Sequence, residues 1–253
     1  HLERSAFELG YRVMIAQQHE NIDNLFAQAL DFRSYGVDGI ISFAHNYPRH
    51  DREIQEFMQV IPRVVYISKP ALATATAVQI DIEAGIVELV RHLQSRGRRR
   101  IGIFLADLEQ KSLQLRHSGY LRGLAAAGLP LQEELIMFHP DFLFATAENA
   151  KLIFARLYVR LGADAIICQN DLFAAFVIKE ALQHGCRIPE DLAVTGFDDL
   201  DFAAACTPGI TTIRQPVRQM ALEAVRLLHA MIQGETSPRL VNLRPELIIR
   251  SST

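Results

Sequence analysis

Gly185-Cys-Arg-Ile-Pro-Glu-Asp-Leu-Ala-Val-Thr-Gly-Phe-Asp-Asp199, then after a short apolar run Thr207-Pro-Gly-Ile-Thr-Thr-Ile-Arg-Gln215, is the stretch whose local grammar decides the fold. Gly185 can stop a helix and Pro189 prevents its resumption, so Leu192 to Phe197 begins afresh as a short buried strand. That strand runs straight into Asp198 and Asp199. In an open parallel sheet the ligand crevice lies just outside the C-terminal strand ends, so the acids stand at a candidate binding site. A second strand, Ile210 to Ile213, follows the Thr207-Pro208-Gly209 turn and delivers Arg214 and Gln215 where the chain again leaves a sheet.

Working outward, short β-branched runs alternate with amphipathic stretches, the mark of βα units. Further strands are predicted at Arg12 to Ala16, Val37 to Phe43, Arg63 to Ile67, Ile101 to Leu105, Leu135 to Phe138 and Ala163 to Cys168. Helical faces are predicted from Ile22, Leu25, Phe26 and Ala29, from Ile86, Leu89, Val90 and Leu93, and from Val217, Ala221, Ala224, Leu228 and Met231. Gly36-Val-Asp-Gly-Ile-Ile is echoed by Gly162-Ala-Asp-Ala-Ile-Ile. Each copy heads a strand, which fits either two similar α/β lobes or a helix-to-strand turn used twice.

At 253 residues the chain accommodates one large core or two lobes of ordinary size. Its 49% hydrophobic and 22% charged content is that of a globular protein, and a net charge of -3 gives no whole-chain reason for nucleic acid or membrane binding. Cys168, Cys186 and Cys206 are odd in number and lack ligand spacing, so they read as reduced thiols in a cytoplasmic protein, with no metal site. The histidines His19, His92, His117, His139 and His184 are also without metal-like spacing. Arg96, Arg98, Arg99 and Arg100 sit between a helix C-terminus and a buried strand, where cations meet the helix dipole, and read as structural.

The run Pro189 to Asp199, with Thr207-Pro208 and Ile210 to Gln215, resembles the C-terminal half of LacI/GalR-type transcription regulators. The resemblance extends through Val37-Asp-Gly-Ile-Ile, Arg96-Gly97 before Ile101-Gly-Ile, Arg116 with Gly119-Tyr120, and Asn170-Asp171, and so covers essentially the whole chain. It implies an α/β fold of the type I periplasmic-binding-protein kind: two Rossmann-like lobes with parallel sheets and a small effector bound in the cleft between them. The lobes are expected at residues 1–105 with 216–240, and 106–215 with 241–253. Leu105, Arg214 and Gln215 mark the expected crossovers. Family cores are preceded by a helix-turn-helix headpiece and begin with a strand; neither pattern is found here, and His1 to Leu9 reads as the end of an amphipathic helix. Operator DNA is therefore expected to be reached only through a headpiece outside this chain, and a homodimer is the expected assembly.

Carried over residue by residue, the resemblance implies that Arg116 reaches the effector, its guanidinium offering a rigid fork of donors to vicinal hydroxyls, a carboxylate or a base edge. Read from chemistry alone, it is a surface helix arginine, because exposed arginines are common; the resemblance reverses that reading. Asp198 matches the acid that accepts from effector hydroxyls or amines, although an aspartate there can also cap a turn. Asn170 matches the polar residue at the same sheet edge. Gln110 and Ser112 match contact positions in the loop after Leu105, and Phe142 matches a ring that stacks on the ligand or else belongs to the core. On the other lobe, His45 and Tyr47 lie in a loop that resembles the Tyr-Pro segment of purine-type repressors, whereas Gln110 stands where those carry an arginine.

The sequence lacks G-x-G-x-x-G between strand and helix, G-x-x-x-x-G-K-[ST] and G-x-S-x-G, so catalysis and a bound cofactor are not expected. Asp198 and Asp199, adjacent in an extended segment, would point apart and make a poor carboxylate dyad. The expected function is the effector-sensing and dimerisation core of a LacI-type regulator binding a sugar or sugar derivative. An exported periplasmic sugar-binding protein, or a purine or nucleoside effector, stands as the alternative.

Overall fold

In the computed structural model the described residues are 1–17, 22–43, 56, 61, 63–68, 75–106, 110–139 and 144–253. They form two compact units, His1–Ile80 with Pro216–Leu243 and Asp81–Gln215 with Arg244–Thr253.

The first unit contains α1 (Leu2–Glu8), α2 (Ile22–Ser34), β1 (Ile40–Ser42), β2 (Val64–Ile67) and β3 (Thr76–Ile80). The chain returns to it with α8 (Val217–Ile232) and β9 (Leu240–Leu243), after the elements of the second unit. Its sheet runs β1-β2-β3-β9 with every neighbouring pair parallel. All four side chains of β2 are buried, because strand alternation serves two faces at once. Val64 and Tyr66 join Ala29 of α2 in one apolar cluster, while Val65 and Ile67 join Ala224 and Leu227 of α8 in another. Leu2 of α1 packs on the second cluster, and the Tyr11 hydroxyl lies 3.0 Å from Nδ1 of His229.

The second unit runs α3 (Ile82–Ser95), β4 (Ile101–Leu105), α4 (Lys111–Ala126), β5 (Ile136–Phe138), α5 (Ala147–Phe154, continued by one wider turn, Ala155–Arg160), β6 (Ala165–Ile167), α6 (Asp171–Gln183), β7 (Ala193–Thr195), α7 (Asp201–Ala205) and β8 (Thr212–Arg214), closing with β10 (Glu246–Ile248). The parallel sheet has the order β5-β4-β6-β7. Bridges Thr195↔Thr211 and Asp198↔Arg214 carry the chain before and within β8 along the far side of β7, and β8 in turn pairs antiparallel with β10. Five consecutive residues of β4 are buried, which an edge strand could not be and an interior parallel strand must be. Ile86, Leu89, Val90 and Leu93, the predicted face of α3, are all fully buried.

The positions of helix ends follow from local chemistry. Asp81 caps α3 by accepting from Ala84 N at 3.0 Å, and Thr146 caps α5 by accepting from Asn149 N. Helix α6 ends with Cys186 N donating to Ala181 O and Gly185 N to Leu182 O, a paired closure at the position where Gly185 signals a stop. Two side chains of the basic run are tied into the structure: Arg98 donates to Pro189 O and Arg100 to Leu161 O and Gly162 O, while Asp164 accepts from the backbone of Arg99 and Arg100. Both echoed glycines, Gly36 and Gly162, have positive φ and precede the parallel strands β1 and β6.

Several sequence expectations are corrected. Residues 12–16 form no strand; Val13, Met14 and Ile15 are exposed, and an apolar run with no ladder partner among the described residues does not make a strand. The unit boundary falls at 80/81 rather than after Leu105, because α3 and β4 belong to the second unit's core. Leu105 is thus a fully buried residue of β4, paired with Phe138 of β5, and no crossover. The later boundary moves from 240 to 243, since β9 completes the first sheet beside β3. Strands β3, β9 and β10 were not read from sequence: β3 follows a small-residue Ala/Thr run, and the side chains of β9 and β10 are mostly exposed or half-buried.

The contact of α3 with α4 leaves no room at Gly119, where an added Cβ would stand 2.9 Å from both Glu83 O and Ile86 Cβ. Gly119→Ala is expected to cost roughly 1–3 kcal/mol through forced separation of the two helices. Chemical denaturation checks this, and an unchanged midpoint would contradict the packing described.

Candidate functional site

A parallel ladder sets all its C-terminal strand ends on one edge, and in the second unit that edge collects the polar residues. After β4 the chain enters α4 through Gln110, after β6 it enters α6 through Asn170, after β7 it turns at Asp198 and Asp199, and β8 ends at Arg214 before Gln215.

Helix α4 buries Leu113, Arg116, Tyr120 and Leu124, a stripe at helical spacing with a cation in the middle of it. Tyr120 Oη donates to Ile101 O at 2.7 Å and holds the helix on β4. Arg116 is 8% exposed, and its guanidinium carbon stands 3.9 Å above the Phe197 ring centroid. Cation–π attraction at so buried a position is worth about 2 kcal/mol. An Nη of Arg116 lies 4.0 Å from Asp198 Oδ1, too far for a hydrogen bond, and its Nε is buried without a partner. Burial draws the guanidinium pKa down and the Asp198 carboxylate opposes the shift. The arginine is therefore held, desolvated and short of acceptors.

Asp198 and Asp199 do not lie in an extended segment. Both have positive φ, 105° and 55°, so the chain turns a left-handed corner at the end of the sheet. Its backbone is fixed by Asp198 N donating to Ile213 O at 2.9 Å. The corner sends the carboxylates to different partners: Asp198 Oδ1 accepts from Gln215 Nε2, whereas Asp199 accepts from Arg214 and Arg250, each at 2.6 Å. Burial would raise the Asp199 pKa, but the bonds from Arg250 and Arg214 prevail and hold it below the ordinary value. Asp199 is spent on structure; Asp198, half-buried, keeps acceptor capacity.

Behind the corner lies Asp171, fully buried at the start of α6. Its Oδ1 accepts from Thr212 Oγ1 at 2.5 Å and its Oδ2 from Leu200 N at 2.7 Å. Burial raises its pKa to about 6; the Thr212 and Leu200 bonds oppose the rise, and Asp198 and Asp199 add to it. With the folded value above the ordinary 3.8, the stability this acid contributes falls as pH climbs from about 4 to 6.

Among the residues singled out from sequence, Arg116 and Asp198 are brought together, with Gln215 bonded to Asp198. Asn170 spends its Oδ1 on capping α6, accepting from Phe173 N at 3.0 Å, so its amide N–H groups are what it can offer a ligand. Gln110 and Ser112 occupy the N-cap and first turn of the helix that carries Arg116. His45, Tyr47 and Phe142 lie outside the described residues. Arg214 pairs with Asp199 and with Glu246, while Gln215 ends the second unit's main segment. Phe197, Asp171 and Thr212 were missed: Phe197 reads as one more apolar strand residue, and nothing in sequence shows that a ring there lies beneath Arg116. Metal-binding clusters of His, Cys, Asp or Glu are absent among the described residues, as is any helix long and apolar enough to cross a membrane.

Comparison with known proteins gives a consistent match. A family model described as a periplasmic binding protein-like domain matches residues 90–253. The HTH-type transcriptional repressor PurR of Yersinia pestis is 29% identical over 257 residues, covering 99% of this chain and 73% of its own length. Among solved structures, a regulatory protein of LacI family from Chloroflexus aggregans superposes with a TM-score of 0.85 at 28% identity, covering 99% of this chain and 89% of its own. The transcriptional regulator CelR in complex with cellobiose gives 0.86 at 26% identity, covering 100% and 76%.

Asp199 is expected to contribute stability above its ordinary value of 3.8 that is lost as pH falls through the lower folded value. Asp199→Asn is therefore expected to cost roughly 1.5–3 kcal/mol at neutral pH and much less near pH 2. Unfolding midpoints measured from pH 2 to 7 test it; a variant that tracks the parent in parallel over the whole range would show that the two arginines do not hold a charged Asp199.

Proposed function

The chain belongs to the periplasmic binding protein-like domain family, in its LacI/GalR-type regulator branch, and from that premise we propose that the strand-end cluster of the second unit binds a small hydroxylated effector, a sugar or sugar derivative. The observation that carries this is the pairing of a buried, under-satisfied Arg116 with Asp198 at 4.0 Å. A hydroxyl both accepts and donates, so one ligand oxygen can accept a hydrogen bond from the guanidinium and donate one to the carboxylate, spanning a gap too wide for the two side chains alone. Vicinal hydroxyls suit the guanidinium fork better still. Support comes from CelR, whose structure is a complex with cellobiose.

The binding is read as regulatory rather than catalytic, as in the repressors the chain resembles, with effector occupancy governing DNA binding by a helix-turn-helix outside these residues, in a homodimer. Only an effector that binds one state more tightly than the other can do this. A purine or nucleoside is the second reading, favoured by the Tyr47-Pro48 likeness to purine-type repressors and opposed by Gln110 in place of an arginine. The cytoplasmic assignment follows from the regulator reading.

A thermal-shift screen over mono- and disaccharides, sugar phosphates, nucleosides and purines tests the ligand class. A stabilising sugar is expected, with saturation at a hundred times Kd adding about 2.7 kcal/mol. Arg116→Ala and Asp198→Ala are each expected to weaken that sugar roughly 10- to 100-fold; wild-type affinity in both would remove the pair from the site, and a purine as sole stabiliser would replace the first reading with the second.

A further inference from the structure

We propose that Asp171 is the positioning residue of this site: its side-chain carboxyl group, sealed behind the corner, holds Leu200 N and the Thr212 hydroxyl together and thereby presents Asp198 outward. The inference deepens the effector reading and rests on it for the meaning of Asp198, but the geometry stands by itself.

A positive-φ pair of aspartates is not a conformation that side chains favour, so something after the pair must oblige the chain to turn. Leu200 N, the first amide beyond it, is tied to Asp171 Oδ2 at 2.7 Å. The other oxygen of the same carboxylate is tied to Thr212 on β8, whose neighbour Ile213 receives Asp198 N. Asp171 N meanwhile donates to Phe197 O at 3.0 Å, on the residue before the pair. One residue thus grips the corner on both sides and the strand that flanks it. Gly196 leaves room for the grip: an added Cβ there would meet the Asp171 carboxylate and stand 2.8 Å from its Cα.

The groups that bear on Asp171 are the carboxylates of Asp198 and Asp199 across the corner, the Cys168 thiol at the end of β6 and the Cys206 thiol after α7. The carboxylate is stabilised by hydrogen bonds and by the N-terminus of α6, an arrangement that serves placement better than packing.

The test uses the whole chain, isotopically labelled, with three readouts: hydrogen exchange at Leu200 N, the pH titration of its amide resonance, and the side-chain amide resonances of Gln215, which report where Asp198 stands. In the parent the Leu200 resonance is expected to step near pH 6. Asp171→Asn is expected to abolish that step yet keep exchange within about twofold of the parent, because its oxygen accepts from Leu200 N and its amide donates to Thr212 Oγ1. Asp171→Ala is expected to speed Leu200 exchange roughly tenfold or more and to displace the Gln215 resonances. Should that variant not fold, Thr212→Val decides: stripping a donor from the carboxylate is expected to move the step above pH 6. An alanine variant that leaves Leu200 exchange and the Gln215 resonances as in the parent, an Asn variant that loosens the corner as alanine does, or a Thr212→Val step that stays put would each overturn the assignment. A chain that bound no sugar or purine would leave all three readouts as stated, so loss of the effector reading is separable from loss of this one.

Discussion

A carboxylate removed from water must have both oxygens bonded or surrender its charge. In the second unit that constraint falls on Asp171, and much of the candidate site is arranged around meeting it. Thr212 is placed by the β8 ladder and Leu200 by the corner, so β8, the corner and the start of α6 meet at a single side chain. The same demand gives meaning to Gly196, where the acid comes too close for any other residue. Three chain segments distant in sequence are thereby held to common coordinates.

The cation of the site obeys a complementary rule. Arg116 arrives in the buried stripe of α4 because 113, 116, 120 and 124 fall on one helical face, and the helix is pressed to α3 by the close approach at Gly119. Phe197 lies beneath its guanidinium and Asp198 stands beyond hydrogen-bond reach. A surface arginine would satisfy its donors with water; this one has exchanged water for an aromatic face, and its Nε is left without an acceptor. Asp199 illustrates the opposite outcome. Adjacent in sequence, it is clamped by two arginines and has nothing to offer.

What was legible in the sequence was the periodic part. Strand ends at Leu105 and near Asp198, the apolar face of α3, the stop at Gly185 and the two Gly-x-Asp turns all rest on spacing or on single-residue backbone preference, and these are local. The acids at a C-terminal strand end were legible for the same reason. The partition of the chain was not, because whether α3 and β4 pack with the first or second unit depends on which apolar face finds which partner, and both faces look alike in one dimension. Residues 12–16 show the same limit from the other side: a short apolar run becomes a strand only when a neighbour supplies the ladder. Asp171 was visible merely as the companion of Asn170, and its burial, the property that matters, arises from tertiary contacts.

The parallel sheet explains why residues scattered over a hundred positions are candidates for one site at all. In β4, β6 and β7 every chain exit falls on the same edge, and each exit supplies a different chemistry: the uncapped first turn and buried cation of α4, the capped start of α6 with its concealed acid, and the left-handed corner with one committed and one available carboxylate. Variation in the exits changes what is bound while the ladder stays the same. Specificity in this chain is therefore expected to reside in how far Asp198 projects and in what Arg116 lacks. In the proposed reading both are set by side chains, Asp171 and Phe197, that need never touch the ligand.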